Sequence, residues 1–145
     1  MDLGAHPMYL SRWMLGKPKR IQSMFNCRTG WQVEDNAVCT IEFENKAICL
    51  SETSLVSPMT PAILEVYGTN GVILAEGASL RMRTKGMDDW TTPELPENLP
   101  KPIRQWLDAI EKGTPVLFDE QAGRDLTELM EKAYMADKAA ETIAF

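Results

Sequence analysis

Apolar and polar residues alternate most regularly between Ala37 and Ala75, in AVCTIEFENKAICLSETSLVSPMTPAILEVYGTNGVILA. Ala37, Cys39, Ile41 and Phe43 fall on one side of a strand, and Val38, Thr40 and Glu42 on the other. A period of two marks a strand with one buried face. Glu44-Asn45-Lys46 is a polar break, and Ala47 to Leu50 returns as a second run. Ile63–Tyr67 and Val72–Ala75 flank Gly68-Thr69-Asn70-Gly71. Asn-Gly between two β-rich runs predicts a hairpin, because both residues tolerate positive φ. The stretch therefore predicts two hairpins in series, feeding one meandering antiparallel sheet.

On either side the pattern changes. Residues 7–15, PMYLSRWML, predict a helix with Pro7 in its first turn, closed by Gly16 and Pro18. Residues 19–27 alternate as a strand, and 28–36 read as a polar loop carrying Trp31. Ser79–Thr84 alternates Leu80 and Met82 against Arg81 and Arg83, another strand, whose arginines read as a solvated or partner-facing side. Residues 85–100 hold Gly86, Pro93, Pro96 and Pro100, an extended loop with a short strand near Trp90. Ile103, Trp106, Leu107 and Ile110 then stand at i, i+3, i+4 and i+7, one face of an amphipathic helix begun by Pro102 and ended by Gly113. Asp119 is a good N-cap for a longer helix to Ala140 with the stripe Leu126, Leu129, Met130, Ala133, Ala136 and Ala140. Strands followed by helices predict an α+β fold, a mostly antiparallel open sheet with helices on one face. Trp13 and Trp106, on apolar helix faces, are expected in the core, and Trp31 and Trp90 in loops. Ala47, Cys49, Ser51 and Thr53 form a mixed small face with no helix left to cover it. The uncovered face of the sheet is expected to pack on a second copy.

Length and composition narrow the function. The 145 residues, 44% hydrophobic and 25% charged, suit a single domain over 1–145 with a real core. The net charge of −6 argues against nucleic acid or an anionic membrane as partner. No apolar run approaches the ~20 residues of a membrane span. There is no signal-peptide pattern at the N-terminus, and Met1 with Asp2, Gly4 and His6 reads like the interior of a domain. Three cysteines, an odd number, suggest reduced thiols and a cytoplasmic setting. One histidine cannot build a histidine-rich metal site. Nine methionines fit adaptable packing.

Only one constellation carries proton chemistry. Asp2 and His6, four apart, share a face if their segment is helical, although Pro7 disfavours α geometry at His6. Histidine is the side chain best poised near neutral pH for proton transfer, and a carboxylate beside it holds the ring and favours its charged form. From spacing alone the two read as a surface pair. No glycine-rich turn leads from a strand into a helix, so no phosphate loop is present.

MDLGAHPMYLSRWMLGKPKRI resembles the segment that opens the C-terminal domain of the glucose–fructose oxidoreductase/inositol dehydrogenase (Gfo/Idh/MocA) family. The family shows D-x-x-x-H, a helix, then G-x-P and a strand, matched by Asp2, His6, Gly16 and Pro18. Phe43–Ala47, Glu65–Gly71, the helix at Ile103–Gly113 and the helix at Asp119–Ala140 follow in family order. The resemblance implies the substrate-binding and oligomerisation domain of an NAD(P)-dependent oxidoreductase acting on a CH–OH group of a sugar, polyol or diol. It implies a Rossmann domain, missing here, that holds NAD or NADP and a catalytic lysine, so this chain alone is expected to bind no cofactor and to be inactive. Asp2 and His6 match the family's proton-transfer pair. Tyr9 stands where many members carry aspartate, and Tyr9 and Trp31 are the expected substrate contacts. Dihydrodiol dehydrogenase-like members are similar in flavour but often carry tyrosine at the place of His6. Expected partners are a homodimer mate on the open sheet face and a small-molecule substrate. The alternative is a stand-alone, non-catalytic dimerisation or interaction module.

Overall fold

The computed structural model describes the backbone of residues 2–59 and 63–145, and the side chains of these except Asp2 and Leu3. Along the chain run α1 (Asp2–Leu15), β1 (Pro18–Asn26), β2 (Asn36–Phe43), β3 (Ile48–Ser54), β4 (Ile63–Gly68), β5 (Gly71–Glu76), β6 (Ser79–Thr84), α2 (Pro102–Lys112), α3 (Glu120–Ala139) and β7 (Ile143–Ala144). The result is α+β, with every strand pair antiparallel. It divides into two compact units, Met1–Pro58 with Pro102–Phe145, and Met59–Lys101.

In the first unit the strands lie in the order β3-β2-β1-β7. The alternation on β2 does what its period predicts: Ala37, Cys39, Ile41 and Phe43 are all buried. Cys39, Ile41 and Phe43 form one core with Ile21 of β1, Met8 of α1, and Leu129 and Ala133 of α3. Leu129, Ala133 and Ala136 are a stripe at i, i+4 and i+7, and the two alanines let the helix backbone sit close to the sheet. Full burial of a side chain such as Phe43 or Ile41 contributes about 1.5–3 kcal/mol. Asp119 caps α3 through the Ala122 N–H at 2.8 Å. Asp137 accepts the Phe25 N–H at 2.7 Å, a β1 donor beyond the short β7 pairing. Asn45, in the turn after β2, donates to the Leu15 carbonyl at 3.0 Å and so closes the end of α1.

Four expectations change. First, α1 begins at Asp2, not at Pro7. Pro7 removes only the bond to the Leu3 carbonyl, one turn in, and burial of Gly4 and Met8 holds the extra turn. Second, the face of Ala47, Cys49, Ser51 and Thr53 is covered: α1 packs on β3 and Ser51 is buried. The open face is the opposite one, with Met24, Val38, Ile48 and Leu50. Third, Trp13 and Trp106 are not core, being 56% and 64% exposed, and α2 buries no residue. Fourth, β4, β5 and β6 form their own sheet. Pro58 has no N–H to continue a ladder out of β3.

In that second sheet Leu64, Val66, Ile73, Ala75, Leu80 and Met82 share one face by register. Gly68 pairs with Gly71 around a Thr69-Asn70 turn. Neither Asn70 nor Gly71 takes positive φ. Gly71 is required for a different reason: a Cβ there would stand 2.5 Å from the Arg83 carbonyl oxygen. The strand expected near Trp90 is a single bridge between Met82 and Thr91.

Candidate active-site face of the first helix

At 100° per residue, positions 2, 6, 10 and 13 of α1 lie on one stripe, and Gly4, Met8 and Ser11 on the buried one. His6 is exposed, as are its stripe neighbours Leu10 and Trp13. The backbone thus places Asp2 one turn before His6 on the same side. The side chain of Asp2 lies outside the described residues. The imidazole thus stands on the exposed side of a helix whose other side is locked into the core.

Tyr9 is half-buried on the flank of that stripe. Its ring lies 5.6 Å from the ring of Phe118, inclined at 47°. Burial, and secondarily the charge of Asp119, raise the phenol's pKa above its ordinary value, so Tyr9 stays a neutral hydrogen-bonding group. Phe118 in turn lines an open groove of about 270 Å³ with Pro102, Ile103, Gln105, Trp106 and Val116. Tyr9 therefore joins α1 to an apolar groove beside α2. The groove and Phe118 were not legible in the sequence; the chain between α2 and α3 carries no motif.

Trp31 stands exposed in the loop between β1 and β2. The loop is organised by a residue that the sequence did not mark, Asp35. Its buried carboxylate accepts the N–H groups of Arg28 and Thr29 at 2.8 Å each, the Thr29 hydroxyl at 2.7 Å and the Asn36 amide at 2.8 Å. These donors, the Arg28 N–H foremost, pull its pKa down to about 2. The Cys27 thiol donates to the Trp31 carbonyl at 3.2 Å. At the far end of the loop, the Tyr134 hydroxyl donates to Glu34 at 2.5 Å, and burial followed by that carboxylate pushes the phenol up to about 12. Among the described residues no hydrogen bond or ring contact links Trp31 to His6 or Tyr9. The structure brings His6 and Tyr9 onto one helix and leaves Trp31 on a separate, pinned loop.

Among the described residues no three His, Cys, Asp or Glu side chains form a metal-binding group, and no helix is long and apolar enough to cross a membrane. The three cysteines are free thiols, and burial raises the pKa of Cys39 and Cys49. Gly68 and Gly71 join antiparallel strands, so their turn has no helix N-terminus to cradle a pyrophosphate.

Residues 1–74 match the family model described as the GFO/IDH/MocA C-terminal domain. The chain belongs to this family. No curated protein sequence matches it. Solved structures resemble this Gfo/Idh/MocA domain closely in fold. A putative oxidoreductase from Thermotoga maritima superposes with a TM-score of 0.86 at 14% identity, over 98% of this chain and 45% of its own. The WlbA dehydrogenase from Bordetella pertussis, solved with NADH and UDP-GlcNAcA, gives 0.81 at 14% identity, over 99% and 43%. GenD2 from gentamicin A biosynthesis, solved with NAD, gives 0.76 at 26% identity, over 99% and 47%. The domain spans about half the length of these chains.

Proposed function

We propose that residues 1–145 act as one substrate-binding and oligomerisation domain of an NAD(P)-dependent oxidoreductase that acts on a CH–OH group of a sugar, polyol or diol. The nucleotide is held by a Rossmann domain on a further length of chain. The observation that carries this reading is the exposed His6 on a rigid helix, one turn from Asp2, in a Gfo/Idh/MocA domain that spans half the length of its structural neighbours. Oxidising an alcohol carbon requires its hydroxyl proton to leave. An imidazole nitrogen of His6 receives that proton, and Asp2 steadies the ring and its charge. Tyr9, kept neutral, offers a hydroxyl to the substrate, and Trp31, on its own loop, is the second side chain proposed to contact it.

The test has two arms. Calorimetric titration of NADH into this chain is expected to give no binding; tight binding here would overturn the division of labour. In the full-length oxidoreductase, His6→Gln is expected to lower kcat by roughly 10²–10⁴-fold with little change in the KM for the nucleotide. An unchanged kcat refutes the role of His6.

The reading as a non-catalytic dimerisation module draws on one observation, the apolar face of Met24, Val38, Ile48 and Leu50. That face also serves the first reading, as the seat of a homodimer. The readings part on His6: a module tolerates its replacement without functional loss.

A further inference from the structure

We infer that the β4–β6 sheet carries a binding site for an organic phosphate on the face of Tyr67, Val72, Leu74, Arg81 and Arg83. The two arginines hold the phosphate, and the attached ring lies on the apolar floor beside them. The register fixes the layout: Arg83 stands opposite Val72, which stands opposite Tyr67, and Arg81 stands opposite Leu74, which stands opposite Glu65. Two positions apart on one strand, Arg81 and Arg83 have Cα atoms about 7 Å apart, within the reach of two long side chains converging on one phosphate.

Both guanidinium groups are held in place without being neutralised. Arg81 lies 5.7 Å from the centre of the Trp90 ring. Arg83 donates its Nε–H to the Met87 carbonyl at 3.0 Å, a bond that leaves the donors of its two terminal amino groups unused. Among the described residues no ion pair involves either one. Arg12, Arg20, Arg104 and Arg124, the other arginines within helices and strands, each have a carboxylate partner. The nearest acid by register is Glu76, diagonal to Arg81 on the adjacent strand, and Glu65, two strands away, accepts the Tyr67 hydroxyl at 3.0 Å; neither forms an ion pair with Arg81 or Arg83 among the described residues. Arg81 and Arg83 thus present guanidinium groups without an ion-pair partner among the described residues, although Glu65 and Glu76 share their face. Charges on an edge strand commonly serve to block strand addition. Here the Met82 N–H bonds to the Thr91 carbonyl at 2.8 Å and the Thr91 N–H to the Met82 carbonyl at 2.9 Å, so that edge is already partly closed. Tyr67, exposed at the far side of the floor, and Trp90 supply aromatic walls. The arrangement suits a ring-bearing phosphate ester better than a bare anion. It does not depend on His6 or on a nucleotide-binding half.

Titrations of this chain with inorganic phosphate and with adenosine 5′-monophosphate, at fixed ionic strength, test the site through NMR signals of the arginine Nε–H groups and backbone amides. Saturable shifts confined to Arg81, Arg83, Val72 and Leu74 are expected, with the nucleotide binding at least about tenfold tighter than phosphate. Arg83→Gln is expected to weaken nucleotide binding at least about tenfold, since a hydrogen bond to a charged group is lost, while Arg124→Gln changes nothing. If Arg83→Gln disturbs the sheet's amide signals, Arg81→Lys takes its place. It keeps the charge, loses the planar fork and the stacking, and is expected to weaken binding as well. Shifts that do not saturate, shifts spread equally over Arg28 and Lys46, equal affinity for the two probes, or unchanged binding in both variants would overturn the site.

Discussion

Replacing Leu50 by arginine tests whether the open sheet face is where two copies meet. Leu50 lies on β3, opposite Thr40 and then Gln22, and is 66% exposed; Ile48 and Met24 on the same face are 71% and 73% exposed. A leucine side chain is worth about 1.5–3 kcal/mol on full burial, so covering the exposed two thirds recovers about 1–2 kcal/mol. An isologous interface counts every substitution twice. Leu50→Arg also brings an unpaired charge into the contact. The combined penalty is at least about 3 kcal/mol, or a rise of roughly a hundredfold in the dimer Kd. The fold of the single copy should hardly notice, because a surface substitution usually moves stability by less than about 0.5 kcal/mol. Sedimentation velocity across a concentration series reads the first quantity, and chemical denaturation of the dilute protein reads the second. The reasoning fails if the parent chain is monomeric throughout the micromolar range. It fails too if Leu50→Arg dimerises as tightly as the parent.

Three further outcomes follow from particular contacts. Phe43→Ala should cost about 3–5 kcal/mol in chemical denaturation, since Phe43 is wholly buried against both helices' side of the sheet. Asp35 has a folded pKa of about 2, below the ordinary 3.8, so its contribution to stability is complete above roughly pH 4 and is lost as pH falls towards 2. Asp35→Asn should flatten the stability–pH curve across that window and loosen the Trp31 loop, read by denaturation at each pH; an unaltered acid slope contradicts the account. Gly71→Ala should raise hydrogen exchange across 63–84 while leaving β1–β3 protected, because its methyl group meets the Arg83 carbonyl.

Much of this fold was legible because burial follows period. Ala37, Cys39, Ile41 and Phe43 announce the core by alternation alone, and Leu129, Ala133 and Ala136 do so at helical spacing. The same logic misplaced Trp13 and Trp106. An apolar stripe says that a helix has a face to cover, not that its own chain covers it, and α2 presents that face to solvent. The start of α1 was misjudged because Pro7 was weighed locally, whereas the buried Gly4 and Met8 outweigh one missing hydrogen bond. The division into two sheets was not anticipated, because the prolines between β3 and β4 carry no alternation to read. At the candidate site, the four-residue spacing of Asp2 and His6 was visible at once. The grip of Asp35 on the Trp31 loop was not, because it depends on where backbone N–H groups point after a turn, and Phe118 reaches Tyr9 only through tertiary packing.

The central claim is that this domain handles the substrate while its nucleotide is held elsewhere on the same polypeptide. Sequencing the genomic DNA immediately upstream of the codon for Met1 tests it most directly. The account predicts an in-frame strand followed by G-x-G-x-x-G and a helix. A ribosome-binding site placed directly before Met1, with no such sequence in frame, would contradict it.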